Sequence, residues 1–72
     1  MNEKLLFLLG YTVDPAVSFA APPEDHRQLF VDNVIYGRKQ STLARQHGVV
    51  RNTVGNRIAA VRRWLLEEPD GS

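Results

Sequence analysis

The stretch Gln40–Ile58, QSTLARQHGVVRNTVGNRI, decides the fold. Gln40, Ala44 and Gly48 stand four residues apart. Leu43 precedes the alanine, Val49 follows the glycine, and Val54 and Ile58 come one and two turns later. Each position has a physical job. Ala44 is small where a second helix has to cross the first closely. Gly48 can take a positive φ, which lets a three- or four-residue turn reverse the chain. Leu43, Val49, Val54 and Ile58 fill the wedge between the two helices. The pattern predicts a helix over about Lys39 to His47, a tight turn, and a second helix over about Val50 to Glu67.

On the second helix, Val50, Val54, Ile58, Val61 and Leu65 make one continuous inner face. Residues 51, 52, 55, 56, 59, 62 and 63 share the opposite side. That side carries Arg51, Asn52, Gly55 and Asn56, and the spacing as a whole is that of a helix-turn-helix. Arginine can bond both acceptors of guanine, and asparagine can bond N7 and N6 of adenine. Arg51, Asn52 and Asn56 are therefore the expected base contacts. Thr53 is expected to cover a thymine methyl or bond a phosphate. Gly55, with no side chain, lets the helix approach the bases closely; the competing reading is a helix-weakening residue without purpose.

Arg38, Lys39, Gln40, Ser41 and Thr42 surround the start of the first helix. Free N–H groups and a positive dipole at such an end suit a phosphate. Ser41 and Thr42 also suit plain capping. Arg45, Arg57, Arg62 and Arg63 are either further phosphate contacts or solvated charges.

The charge distribution supports a polyanionic partner. Between Gly37 and Arg63 lie Arg38, Lys39, Arg45, Arg51, Arg57, Arg62 and Arg63, seven of the nine basic residues, uninterrupted by any Asp or Glu. The carboxylates fall outside, at Glu3, Asp14, Glu24, Asp25, Asp32, Glu67, Glu68 and Asp70, so a formal net charge of +1 conceals a basic face.

Composition excludes other classes. The 72 residues contain no cysteine, hence neither a disulfide framework nor a thiolate metal site. His26 and His47 are the only histidines, which leaves no metal and no cofactor expected. His47 is expected to be a half-buried turn residue. No carboxylate cluster, serine–histidine arrangement or phosphate loop is present, so the chain is expected not to be an enzyme, and to be complete rather than the DNA-binding head of a recombinase. The longest uninterrupted apolar run, Leu5–Leu9, is far short of a membrane span. Lys4, LLFLLGYTV and SFAA imitate a secretory signal, but Glu3 and Asp14-Pro15 argue against one. The expected location is the bacterial cytoplasm, at the nucleoid.

Around the central stretch, the expected organisation is all-α with about four helices. Residues 1–22 form an N-terminal apolar segment and connection, serving dimerisation or core closure. Residues 23–68 form the DNA-binding domain, and 69–72 a disordered tail. Asn2 can cap a helix over Glu3 to Leu9, ended by Gly10. Tyr11 to Pro23 is a connection in which Val17 and Phe19 are expected to pack. Pro23 and Glu24 open a helix whose apolar stripe is Phe30, Val31, Val34 and Ile35, ended by Gly37. Trp64 is expected in the core or at a dimer contact.

Gly37 to Trp64, GRKQSTLARQHGVVRNTVGNRIAAVRRW, resembles the helix-turn-helix of the TrfB/KorA-type plasmid repressors. The resemblance rests on Gly37, a basic residue at 38, Gln40, Thr42, an apolar residue then Ala44, Gly48, an apolar residue at 49, Arg51, Val54 and the apolar–Trp end. The frame is also similar to that of regulators of fimbrial adhesin operons, where an apolar N-terminal stretch precedes the long helix. The likeness covers about 28 residues. It implies an all-helical protein that binds a palindromic double-stranded operator as a homodimer and represses or modulates transcription. The DNA-reading positions it implies fall on Arg51, Asn52 and Asn56, with Gln40 buttressing at the phosphate backbone. KorA-type proteins carry a C-terminal dimerisation segment and this sequence stops at Ser72, so a dimer is expected to use Met1 to Pro22 or Trp64, Leu65 and Leu66. The expected function is a sequence-specific transcriptional repressor of plasmid, phage or other mobile-element origin, acting on its own promoter. The alternative is a helix-turn-helix interaction module in a replication, segregation or recombination complex.

Overall fold

A computed structural model describes residues 2–67; the expected tail at 69–72 lies outside the described residues. The protein is all-helical, and no strand occurs among the described residues. Five helices follow in order: α1 (Glu3–Leu8), α2 (Pro15–Ala20), α3 (Glu24–Phe30), α4 (Gln40–His47) and α5 (Arg51–Leu66). α3 runs on into a π-helical turn over Val31–Ile35. None of these helices is long and apolar enough to cross a membrane.

α5 is the organising element. Val54, Ile58, Val61 and Trp64 repeat at intervals of four, three and three residues, which aligns them on one side of a 3.6-residue helix. All four are buried. Both α3 and α4 pack on this side. α3 contributes Leu29 and Phe30, followed by Val31 from the π turn, and α4 contributes Leu43 and Ala44. The core ends on α1 with Leu8, and Leu5, Phe7, Val17, Val49 and Leu65 pack around its edge.

The junction between α4 and α5 is built on Gly48, at φ 67° and ψ 32°. Its N–H reaches the Arg45 carbonyl at 3.4 Å, and the Val49 N–H reaches the Ala44 carbonyl at 3.0 Å. This is a Schellman closure, in which a left-handed residue lets the chain bond back over the last turn. Val49 is thereby turned toward the core, and α5 begins two residues later.

α1 closes the other end of the core. Asn2 caps it by accepting the Lys4 N–H at 2.8 Å. The Lys4 ammonium donates to the backbone carbonyls of Trp64 at 2.6 Å and Glu67 at 3.2 Å. It also lies 5.4 Å from the centre of the Trp64 ring. A cation on the last carbonyls of a helix meets the negative end of its dipole. Phe7 packs edge-on against Trp64, with ring centres 6.3 Å apart. The indole Nε1 of Trp64 is buried with no hydrogen-bond partner among the described residues.

Several expectations need correction. The connection from Tyr11 to Pro23 holds α2, started by the Asp14 side chain, which accepts the Ala16 N–H at 2.9 Å, and by Pro15 in the first turn. Phe19, expected to pack, is 95% exposed. On α3 the buried set is Leu29, Phe30 and Val31, while Val34 and Ile35 are 47% and 42% exposed. The cause is the π turn: Tyr36 N–H bonds the Val31 carbonyl, five residues back, which shifts the later side chains off the stripe. Val50 is not on the inner face; it is the extended residue before α5 and is 67% exposed. Trp64 fills the core place given to Leu65, which is only half-buried. His47 is exposed rather than half-buried.

A Cβ at Gly48 would meet nothing within 4 Å, so its replacement costs backbone strain alone. Gly48→Ala is expected to destabilise the protein by roughly 1–2 kcal/mol. Gly48→Asn should cost less, because asparagine tolerates the left-handed region. Thermal unfolding checks the order Gly, Asn, Ala; equal midpoints for all three would contradict this account of the turn.

Candidate nucleic-acid interface

The side of α5 turned away from the core carries Asn52, Asn56, Ala59 and Arg63, at i, i+4, i+7 and i+11, and all four are exposed. By the same spacing, Arg51, Gly55 and Arg62 lie on one flank of that side. α4 adjoins this flank, because Gln40 Oε1 is 3.4 Å from where a Cβ on Gly55 would stand. The first residue of α4 therefore meets the second turn of α5. Arg38 and Lys39, which immediately precede Gln40, are exposed at the same place.

The two helix starts share a second property. Lys39 precedes α4 and Val50 precedes α5, and neither start has a side-chain capping bond. Ser41 is exposed and Thr42 half-buried, and neither caps α4. The first N–H groups of each helix lack intrahelical carbonyl partners by geometry. The Asn2 and Asp14 side chains cap α1 and α2, while α3, preceded by Pro23, also lacks a side-chain cap but has Glu24 and Asp25 rather than basic residues in its first turn. A helix start without a capping oxygen, flanked by basic side chains, is chemically suited to an anion.

The loop into α4 is held by its own bonds. The Arg38 N–H donates to the Asp32 carbonyl at 2.9 Å, and the Asn33 amide donates to the Arg38 carbonyl at 2.8 Å. Gly37, at φ 73°, makes the turn between them. The Arg38 backbone is thus fixed while its side chain stays exposed.

Not every candidate joins this surface. Arg57 stands three residues after Val54 and four before Val61, on the edge of the core side. It is partly covered and pairs with Asp25 of α3 at 3.5 Å. Thr53 lies four residues before Arg57, on the same flank, and is half-buried. Arg45 is exposed on α4, one turn after Ser41 and away from the Gln40 end. Arg51, Asn52, Asn56 and Arg62 are all exposed.

Two exposed side chains beside the site were not among the sequence candidates. Val50 stands next to Arg51, and Tyr36, 68% exposed, stands two residues before Arg38. Val50 was assigned to the core because it lies four residues before Val54. The signal against that is its place before the helix, where the backbone is extended and side chains leave the helical register. Tyr36 follows the π turn, which helical periodicity does not announce.

Among the described residues no group of three or more His, Asp or Glu side chains is placed to hold a metal. No protein-family model, curated protein or solved structure matches the chain.

Gly55 has ordinary helical φ, and a Cβ there would be in van der Waals contact with Gln40 only, at the end of a flexible side chain. The fold does not require glycine at this position. Gly55→Ala is expected to raise stability by up to about 1 kcal/mol through helix propensity. A higher melting temperature would bear this out; a lower one would show that Gln40 cannot yield.

Proposed function

We propose that this chain is a sequence-specific double-stranded DNA-binding protein that represses transcription, using α4 and α5 as a helix-turn-helix. The observation that carries the reading is the surface on which Arg51, Asn52 and Asn56 of α5 are exposed beside the uncapped, Arg38–Lys39-flanked start of α4. The stretch from Gly37 to Arg63 that supplies these residues contains no carboxylate. In this reading the start of α5 enters the major groove with Arg51, Asn52 and Asn56 at base edges. Arg38, Lys39 and the first N–H groups of α4 meet phosphate, with Gln40, Ser41 and Thr42 close by. Arg62 reaches the backbone further along the groove. Arg57 and Thr53 have lesser parts, since one is paired with Asp25 and the other half-covered.

The working form in this reading is a homodimer on a palindrome. One motif reads only a few base pairs, and a two-fold pair doubles that information. The resemblance to plasmid and adhesin-operon regulators supports repression and a mobile-element origin, with the bacterial nucleoid as the place of action. A protein-docking module is disfavoured because the outer side of α5 presents Asn52, Asn56 and Ala59, with Gly55 beside them, rather than the large aromatic anchors that dominate such contacts.

Selection from a random-sequence duplex pool, followed by binding titrations, tests the proposal. Arg51→Ala, Asn52→Ala and Asn56→Ala should each cost about 1–3 kcal/mol on the selected sequence and little on random DNA. Equal losses on both would reassign them to the phosphate class. Gly55→Ala should weaken the selected site despite its gain in stability.

Affinity should also fall steeply with salt, because each phosphate neutralised releases counterions. Arg38→Ala or Lys39→Ala should weaken all sequences alike and reduce the log–log slope by about one. A flat salt dependence would show that this face does not meet DNA, and the docking module would then lead.

A further inference from the structure

Phe19 and the cleft beside α1 are a knob and a hole that the chain leaves apart. Phe19, on α2, is the most exposed large apolar side chain described, at 95%. Its neighbours Val17 and Ala21 pack against the core edge, so α2 itself is seated while the ring is presented outward. A cleft of about 310 Å³ opens between α1 and α3. Its walls include Phe7, Leu8, Tyr11 and Val31, with Arg27 and Gln28 beside them. The Arg27 guanidinium lies 4.7 Å from the centre of the Phe7 ring and donates to the Pro22 carbonyl, so it is held in place. A fixed guanidinium at the edge of a cleft lined by Phe7 and Tyr11 suits another aromatic ring, by stacking and cation–π attraction. A cavity of about 150 Å³ already suffices for benzene.

We infer that Phe19 of one copy inserts into the α1–α3 cleft of a second copy, and that this reciprocal contact is the dimer interface. The inference rests on the dimeric reading given above and adds its chemistry. α2 packs against α1, which forms one wall of the cleft, so knob and hole belong to adjoining parts of one surface, as a self-complementary two-fold contact requires. The contact also lies away from the proposed DNA face. Phe7, on the cleft wall, packs on the buried Trp64 near the end of α5, whereas Gln40, at the start of α4, meets α5 at Gly55. These two points are nine residues, or about 13 Å, apart along the helix.

Sedimentation of the full chain tests this, with two variants that leave the core untouched. Phe19→Asp removes the knob, and Gln28→Trp, at an exposed position, blocks the hole. Truncating a central aromatic anchor typically weakens an interface about 30-fold, and symmetry counts it twice. The wild-type chain should be a dimer, and each variant alone should dissociate roughly 1,000-fold more readily. An equimolar mixture of the two variants can form one of the two contacts, from the Phe19 of one to the open cleft of the other. It should regain a heterodimer about 30-fold weaker than wild type. A monomeric wild type, a Phe19→Asp variant that stays dimeric, or a mixture no tighter than either variant alone would each overturn the inference. Binding of Phe19→Asp to a short random-sequence duplex, expected to match wild type, reads the DNA-binding proposal separately.

Discussion

The structure depends on α5 having two unlike sides. The side with Val54, Ile58, Val61 and Trp64 is where α3 and α4 converge, with α1 reaching Trp64 at its far end. A chain of this length buries only roughly 60% of its unfolded surface, so it has little apolar area to spare. Committing one long helix to the core lets three shorter ones find a partner without packing well on each other. Isolated helices of six to eight residues are unstable in water, and these exist because α5 supplies their apolar complement. The opposite side of α5 is then left without an intramolecular role. It carries Asn52, Asn56, Ala59 and Arg63, with Arg51 and Arg62 beside them.

The parts legible in the sequence are those with a local cause. Gly48 stands where only a positive φ lets two adjacent helices turn, and its Schellman bonds follow from that. Leu43, Ala44, Val54, Ile58 and Val61 keep a period that a regular helix maps onto one side. The outer residues of α5 follow by subtraction. The parts that were not legible lie where the period breaks. The π turn at Val31–Ile35 adds one residue to a turn, so a regular helix wheel puts Val34 and Ile35 inside when they are outside. α2 is a six-residue helix between prolines, too short to show a period, although Asp14-Pro15 is a sound helix start in hindsight. For Arg57 the basic run left a phosphate contact and a solvated charge both open; its spacing from Val54 and Val61 puts it beside the core, where it pairs with Asp25.

The pairing of Asp25 with Arg57 sharpens the charge asymmetry. It sets the charge of one basic residue of the Gly37–Arg63 run against a carboxylate of α3. As an exposed pair it contributes little to stability. Its consequence is positional. Among the described residues, the cations without an ion-pair partner nearest the outer side of α5 are then Arg51, Arg62 and Arg63, joined by Arg38 and Lys39 from the start of α4.

The ends of α5 are treated in opposite ways. At its C-terminal end the carbonyls of Trp64, which also accepts the Glu67 N–H, and of Glu67 accept bonds from Lys4, so the negative end of the dipole is answered within the chain. At its N-terminal end Val50 offers no capping oxygen, though Ser, Thr, Asp or Asn there would add about 1 kcal/mol. α4 repeats the omission with Lys39. Gly55, in the second turn of α5, gives up a similar amount of helix propensity without a steric reason. Three small losses of stability thus lie on one patch of a small domain, while α1 and α2 are capped and α3, begun by Pro23, is not. Folding alone would favour removing them. A negatively charged, closely approaching surface such as the DNA backbone and groove would favour keeping all three.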